Sequence, residues 1–150
     1  MKRTAAREVA IRLCYSAELA GVETAEFVSD FFAEDHYATL SAEDELFETR
    51  PDEVQLEYIK KLVGHVFEHK QELDVMVEQY AKGWSLKRIS KISLAIMRCA
   101  LCEILYFEDV SEKIAINEAI NVAKKYEEPE TVRFINGVLG SFVRAKEESV

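Results

Sequence analysis

The chain has 150 residues, of which 49% are hydrophobic and 31% charged, and its formal net charge is −9. A chain of this size and composition folds as one domain with a substantial core, and its five glycines and two prolines are too few for a turn-dense β architecture. No apolar stretch is long and uninterrupted enough for a signal peptide or a membrane span, and three cysteines, an odd number, suit a reducing compartment. We therefore expect a cytoplasmic protein with no membrane-bound part.

The negative charge is concentrated in one segment. Residues 34–53 contain eight acids and one base, Arg50, and so account for −7 of the net charge. Residues 1–12 contain four bases and a single acid. We interpret residues 34–53 as an acidic loop or a frayed helix, and the N-terminus as the part of the chain suited to phosphates.

Helical periodicity dominates the first half of the chain. A first helix is predicted over Arg3–Ala20, where apolar residues recur every three or four positions, and Gly21 is placed directly after its end. A short second helix is predicted over Thr24–Ala33. After the acidic segment, Pro51 stands where a third helix can begin, and a further helix is predicted to end near Gly83.

The second half continues the helical pattern. Trp84–Ser90 is predicted as a short helical turn, and Ser93–Phe107 is apolar nearly all round, which indicates a central buried helix. Residues 113–144 form two amphipathic stretches joined at Pro129, which predicts two consecutive helices that pack together. We therefore predict an all-α, single-domain helical bundle of about seven helices.

Gly137 lies inside the last of these helices and directly follows Asn136. An Asn-Gly pair is a strong hairpin signal, but the flanking apolar residues repeat with a helical period, so we predict a helix. A glycine in a helix interior costs about 1 kcal/mol relative to alanine. We expect Gly137 to lie where a neighbouring helix crosses closely.

Two motifs could carry metal or redox chemistry. His65, Glu68 and His69 fit H-x-x-E-H, a pattern of zinc enzymes, but the sequence offers no third ligand in a recognisable context, and we interpret them as residues on the exposed face of a helix. Cys99 and Cys102 fit C-x-x-C inside an apolar helix, where buried small hydrophobic residues explain them better than a redox pair. The sequence also contains no glycine-rich phosphate loop. We therefore predict no catalytic residue, no metal and no cofactor.

Five stretches of the chain carry a family resemblance. In chain order they are AREVAIRLCYSAEL, WSLKRISKISLAIMR, ALCEILYFEDVSEKIAINEAI, IAINEAINVAKKY and RFINGVL. Together they resemble the NusB family of transcription antitermination factors. The resemblance covers both ends and the central third of the chain and leaves about residues 22–55 unmatched.

The resemblance implies an RNA-binding function. NusB-like proteins bind the boxA element of nascent RNA together with the small-subunit ribosomal protein also called NusE, and they join RNA polymerase with further Nus factors in ribosomal-RNA transcription. The first helix, which carries arginines, is their main RNA-contacting element. Matched to the family motif residue by residue, the expected RNA contacts are Lys2, Arg3, Arg7, Arg133 and Phe134, with Glu130 at their margin.

The resemblance also implies a surface for the protein partner. Tyr15 matches the tyrosine of that surface, whereas Lys87 and Ser93 fall where many members carry acids that meet the basic partner. Two alternatives remain open on the residues alone. One is a protein-binding helical module without RNA affinity, and the other is a metal-dependent hydrolase at the H-x-x-E-H motif.

Overall fold

The computed structural model describes residues 1–32, 45–47 and 49–149. Within these ranges all regular structure is helical, which confirms the predicted all-α class. The α-helices are α1 (Arg3–Ala20), α2 (Phe27–Phe31), α3 (Glu53–Glu68), α4 (Lys70–Tyr80), α5 (Lys91–Tyr106), α6 (Glu112–Tyr126) and α7 (Pro129–Glu148), and the 3-10 turns are Glu45–Phe47 and Leu86–Arg88. Residues 34–44 and 48, which make up most of the predicted acidic loop, lie outside the described residues. None of the described helices combines the length and the apolar composition needed to cross a membrane.

Local signals in the sequence determine several helix ends. α1 stops at Gly21, whose φ of 70° is the left-handed conformation that favours glycine. The side chains of Asp52, Ser90 and Ser111 each accept a hydrogen bond from the backbone N–H three residues further on, and so cap α3, α5 and α6. Pro129 is the first residue of α7, where its missing N–H costs no helical hydrogen bond.

α5 is the central helix of the bundle. Every residue from Ser93 to Ile104 is buried, because α1, α3, α4, α6 and α7 all pack against it. Cys99 and Cys102 lie within this buried stretch, and Cys99 Sγ is 3.9 Å from Cys14 Sγ on α1. Burial raises the pKa of the Cys102 thiol, so it stays protonated. The interpretation of these cysteines as small hydrophobic core residues is confirmed.

The position of Gly137 differs from the prediction. It lies in α7 as expected, but it is exposed, and a Cβ added there would meet no atom of a neighbouring element within 4 Å among the described residues. The expected close helix crossing is therefore wrong. α7 packs through a stripe that leaves Gly137 on the opposite face and comprises Ile135, Val138, Leu139 and Phe142.

Candidate nucleic-acid interface

Most residues predicted to contact RNA lie at the beginnings of two helices. Lys2 directly precedes α1 and Arg3 opens it, whereas Glu130, Arg133 and Phe134 lie in the first two turns of α7. The side chains of Lys2, Glu130 and Arg133 are exposed, and those of Arg3 and Phe134 are partly buried. The two groups come from opposite ends of the chain, so only tertiary contacts can bring them together.

Side chains of α6 connect the start of α1 to the start of α7. Thr4 Oγ1 donates a hydrogen bond to Glu118 Oε1 at 3.2 Å. One helical turn further along α1, Glu8 accepts hydrogen bonds from Lys125 Nζ at 2.7 Å and from the Tyr126 hydroxyl at 2.6 Å. Because α7 follows α6 after a two-residue link, these contacts link the surface at the start of α1, through α6, to the surface at the start of α7.

Arg3 is held in a defined position on this surface. Its Nε donates to Gln55 Oε1 on α3 at 2.7 Å, and its Cζ lies 4.0 Å from the centroid of the Tyr58 ring. The Tyr58 side chain is itself buried, so the guanidinium rests on a rigid aromatic face through a cation–π contact. An arginine fixed in this way has already lost much of the side-chain freedom that phosphate binding would otherwise remove.

Arg7 lies one turn beyond Arg3 but points into the protein. Its side chain is 4% exposed, and its Nε and Nη2 donate to the two carboxylate oxygens of Glu103 at 2.6 and 2.9 Å. Burial by itself would lower the pKa of Arg7, but the hydrogen bond and charge of Glu103 outweigh burial and raise it, so Arg7 stays ionised. In this structure Arg7 ties α1 to α5, and an RNA contact at Arg7 stays a prediction.

A pocket with a volume of about 490 Å³ opens beside the first turns of α7. Trp84 and Phe134 line it, with ring centroids 5.5 Å apart and planes inclined by 50°, and Trp84 is 48% exposed. Arg88 and Arg133 add positive charge to the same pocket, and Glu127 and Glu130 add two carboxylates. Exposed aromatic faces beside cations are typical of surfaces that hold single-stranded bases.

The three residues predicted to face a protein partner have different environments. Tyr15 on α1 is partly buried against the core, and Lys87 is exposed on the Leu86–Arg88 turn. Ser93 is 1% exposed, and its Oγ donates to Glu127 Oε1 at 3.0 Å. Ser93 therefore lies at the base of the pocket that contains Phe134, and a protein partner would reach it only if Glu127 moved.

Three residues that are not among the predicted RNA contacts lie beside them. Trp84 and Arg88 line the pocket, and Lys125, 63% exposed, pairs with Glu8 on α1. The available signals are a tryptophan next to a basic cluster and two consecutive lysines at the end of α6. Neither signal shows that these residues neighbour Phe134 and Glu8, because that proximity comes from packing between distant segments.

The chain matches known proteins along almost its whole length. The model of the NusB family matches residues 4–144. A transcription antitermination protein NusB of Acetivibrio thermocellus is 38% identical over 146 residues, which cover 97% of this chain and 91% of that protein. Its counterpart in Clostridium novyi is 34% identical over 145 residues, which cover 97% of this chain and all of that protein.

The fold is also shared with a solved complex. A crystal structure of the antitermination factors NusB and NusE in complex with double-stranded RNA contains a chain that superposes with a TM-score of 0.72. The match covers 95% of this chain and 96% of that chain, with 21% sequence identity. At this identity the likeness concerns the fold.

Proposed function

This chain belongs to the NusB family, and we propose from that premise that it is an RNA-binding transcription antitermination factor. Its RNA ligand is single-stranded RNA of the boxA type, bound during ribosomal-RNA transcription. The observation that carries the proposal is the connected surface that runs from Lys2 and Arg3 to the pocket of Trp84 and Phe134.

The phosphates of the RNA bind along the edge formed by α1 and α6. Lys2, Arg3 and Lys125 supply the cations there. Gln55 and Tyr58 hold the guanidinium of Arg3, and Lys125 also pairs with Glu8. Such contacts supply affinity and salt dependence but no sequence preference. Residues 1–12, which include Lys2 and Arg3, contain four bases and one acid, although the chain as a whole has a net charge of −9.

The bases bind at the pocket beside α7. A base that leaves the RNA stack can pack against Trp84 or Phe134, since every base has an aromatic face. Arg133 can bind a neighbouring phosphate or the edge of a guanine, and the carboxylate of Glu130 can accept a hydrogen bond from an exocyclic amine. Base preference is thus a property of this pocket, whereas affinity is shared with the N-terminal edge.

The protein partner that we propose is the ribosomal protein NusE. The solved relative that pairs NusB with NusE and RNA supports this assignment. Tyr15 and Lys87 are the accessible candidates for the contact, and Ser93 becomes one only if Glu127 is displaced. RNA polymerase and other Nus factors would join through the resulting assembly. We place this assembly in the cytoplasm and assign it no catalytic step.

The experiment that tests the proposal is RNA binding with and without the partner. Fluorescence anisotropy of a labelled boxA oligomer is measured against increasing protein, alone and with a fixed excess of NusE from the same organism, and an oligomer of scrambled sequence is the control. We expect tighter binding to the boxA oligomer than to the control, and a further gain when NusE is present. If the chain binds NusE but the anisotropy of the boxA oligomer stays unchanged both with and without NusE, the RNA assignment is wrong. The chain would then be a protein-binding module.

A further inference from the structure

Three potential metal ligands meet where α3 ends. His65 and Glu68 lie in the last turn of α3, and His69 is the single residue between α3 and α4. One ligand atom from each residue lies within 4.8 Å of the other two. We propose that His65, Glu68 and His69 form a chelating site for a divalent transition metal of the zinc class. This proposal is independent of RNA binding, because none of the three belongs to the interface described above.

The two imidazoles share one aromatic support. The His65 and His69 rings stack on the Tyr106 ring, with centroid distances of 4.8 and 4.5 Å and planes inclined by only 7° and 17°. Their own centroids are 5.9 Å apart. Rings on opposite faces of Tyr106 would be separated by two contact layers of about 3.5 Å each. The shorter distance therefore places both histidines side by side on the same face of Tyr106.

This side-by-side arrangement is close to that of a metal complex. Zinc–nitrogen bonds of about 2.1 Å at a tetrahedral angle place two imidazole centroids roughly 5 Å apart. The observed 5.9 Å requires only a small inward movement of the two rings. Stacking on Tyr106 restricts the side-chain rotations that would separate them, so part of the ordering needed for chelation is already present.

The ligand atoms are not committed to strong competing hydrogen bonds. His65 Nδ1 is buried and has no hydrogen-bond partner in the part of the chain that the structure describes. His69 Nε2 is 3.8 Å from Glu68 Oε2, and His69 Nδ1 is 3.6 Å from Glu72 Oε2. The Glu68 side chain is 70% exposed, so its carboxylate can rotate toward a metal, and Glu72 can orient the second nitrogen of His69.

The donor set indicates the kind of metal. Two imidazoles and one carboxylate suit zinc, and related ions such as cobalt and nickel, better than magnesium or calcium. Tetrahedral zinc needs ligand atoms about 3.4 Å apart, so the present separations contract on binding. Because His69 lies between two helices and the other ligands lie in α3, the metal would fix the α3–α4 junction. On sequence alone these three residues are interpreted as lying on the exposed face of a helix; in the structure Glu68 is exposed, whereas His65 and His69 are partly buried. No hydrolytic step is proposed.

The test is a titration of the full chain without an affinity tag. Zinc binding is measured by calorimetry, and cobalt binding by its visible absorption, for the natural protein and for Glu68→Gln, His65→Ala and His36→Ala. We expect one equivalent of metal in the natural protein and a loss of affinity of about tenfold or more in Glu68→Gln and in His65→Ala. His36→Ala removes the third histidine of the chain and serves as the control for non-specific histidine binding.

A second measurement covers the case in which loss of a histidine impairs folding. Glu68 is exposed, so Glu68→Gln keeps the fold, and the thermal midpoint of the natural protein should rise with added zinc more than that of Glu68→Gln. Equal metal affinity in the natural protein and Glu68→Gln would overturn the proposal. So would an equal loss of affinity in His36→Ala and His65→Ala, because the binding would then not belong to this cluster.

Discussion

Arg7 on α1 and Glu103 on α5 form a bidentate ion pair in the protein interior, with N–O distances of 2.6 and 2.9 Å. Both side chains are almost completely buried. Removal of one partner from such a pair leaves an uncompensated buried charge, whereas replacement of both partners by apolar residues is often neutral. The Arg7→Ala variant is therefore expected to lose stability whether or not Arg7 contacts RNA.

We predict that Arg7→Ala lowers the free energy of unfolding by about 3–5 kcal/mol, because Glu103 stays buried without its partner. Urea unfolding measures this loss. The double substitution Arg7→Met with Glu103→Leu should recover most of it. If the double variant folds and binds boxA RNA like the natural protein, Arg7 acts only by positioning α1, and the RNA contact predicted at Arg7 is wrong. A stable Arg7→Ala variant would contradict the structural assignment.

Lys2 should behave differently, since it is exposed at the start of α1. We predict that Lys2→Ala leaves the free energy of unfolding unchanged, weakens boxA RNA binding, and lowers the slope of log affinity against log salt by about one. The measurement is anisotropy at several salt concentrations. Lys60→Ala, on an exposed face of α3, is the matched control and should keep the natural slope. If Lys2→Ala and Lys60→Ala have the same slope of log affinity against log salt, Lys2 does not contact a phosphate.

Trp84 tests the base pocket. We predict that Trp84→Ala weakens boxA RNA binding by about 1–3 kcal/mol, the usual contribution of one stacked base, without changing the salt dependence. Trp84→Phe, which keeps an aromatic face, should retain most of the affinity. A changed salt slope would indicate that the substitution disturbs Arg88 or Arg133 in the same pocket, and unchanged affinity would show that no base stacks on Trp84.

Gly137 gives a prediction opposite to the one that a close helix crossing implies. Because a Cβ there meets open space among the described residues, Gly137→Ala should raise the free energy of unfolding by about 1 kcal/mol through helix propensity alone. The control is Gly21→Ala, which should be destabilising because φ at Gly21 is 70°. Thermal and urea unfolding of both variants measure the difference. A melting temperature of Gly137→Ala below that of the natural protein would contradict the exposed position of Gly137.

Glu18 should make stability sensitive to acid. Burial alone would raise its pKa, but the hydrogen bond from Lys70 and the charges of Arg98 and Lys91 outweigh burial, so the pKa lies below its ordinary value of 4.5. A carboxyl whose pKa is lowered by folding stabilises the protein above its unfolded pKa, and this contribution is lost as the pH falls through its folded pKa.

We therefore predict that Glu18→Gln loses stability at neutral pH but little at a pH below the folded pKa of Glu18, so that its stability falls less with acid than that of the natural protein. Urea unfolding over a series of pH values from neutral into the acid range measures the difference. Glu148→Gln removes a carboxylate from the exposed end of α7 and should follow the natural protein. Parallel pH profiles for Glu18→Gln and the natural protein would contradict the prediction.

The helices and several of their ends follow from local features of the sequence. Gly21 and Pro129 act through their own backbone geometry, and Ser90 acts through a hydrogen bond to a residue three positions away. Because these effects are local, they can be predicted from the sequence. The buried character of α5 was equally readable, because its apolar residues occupy all sides of the helix.

Which side chains of those helices are available to bind a ligand depends on packing between segments that are distant in the chain. Arg3 and Arg7 are one turn apart and look equivalent in sequence, yet Arg3 rests on Tyr58 at the surface and Arg7 is buried against Glu103, a residue 96 positions away. A one-dimensional pattern cannot separate them, because the desolvation of each arginine and the charge that offsets it come from helices that are distant in the chain.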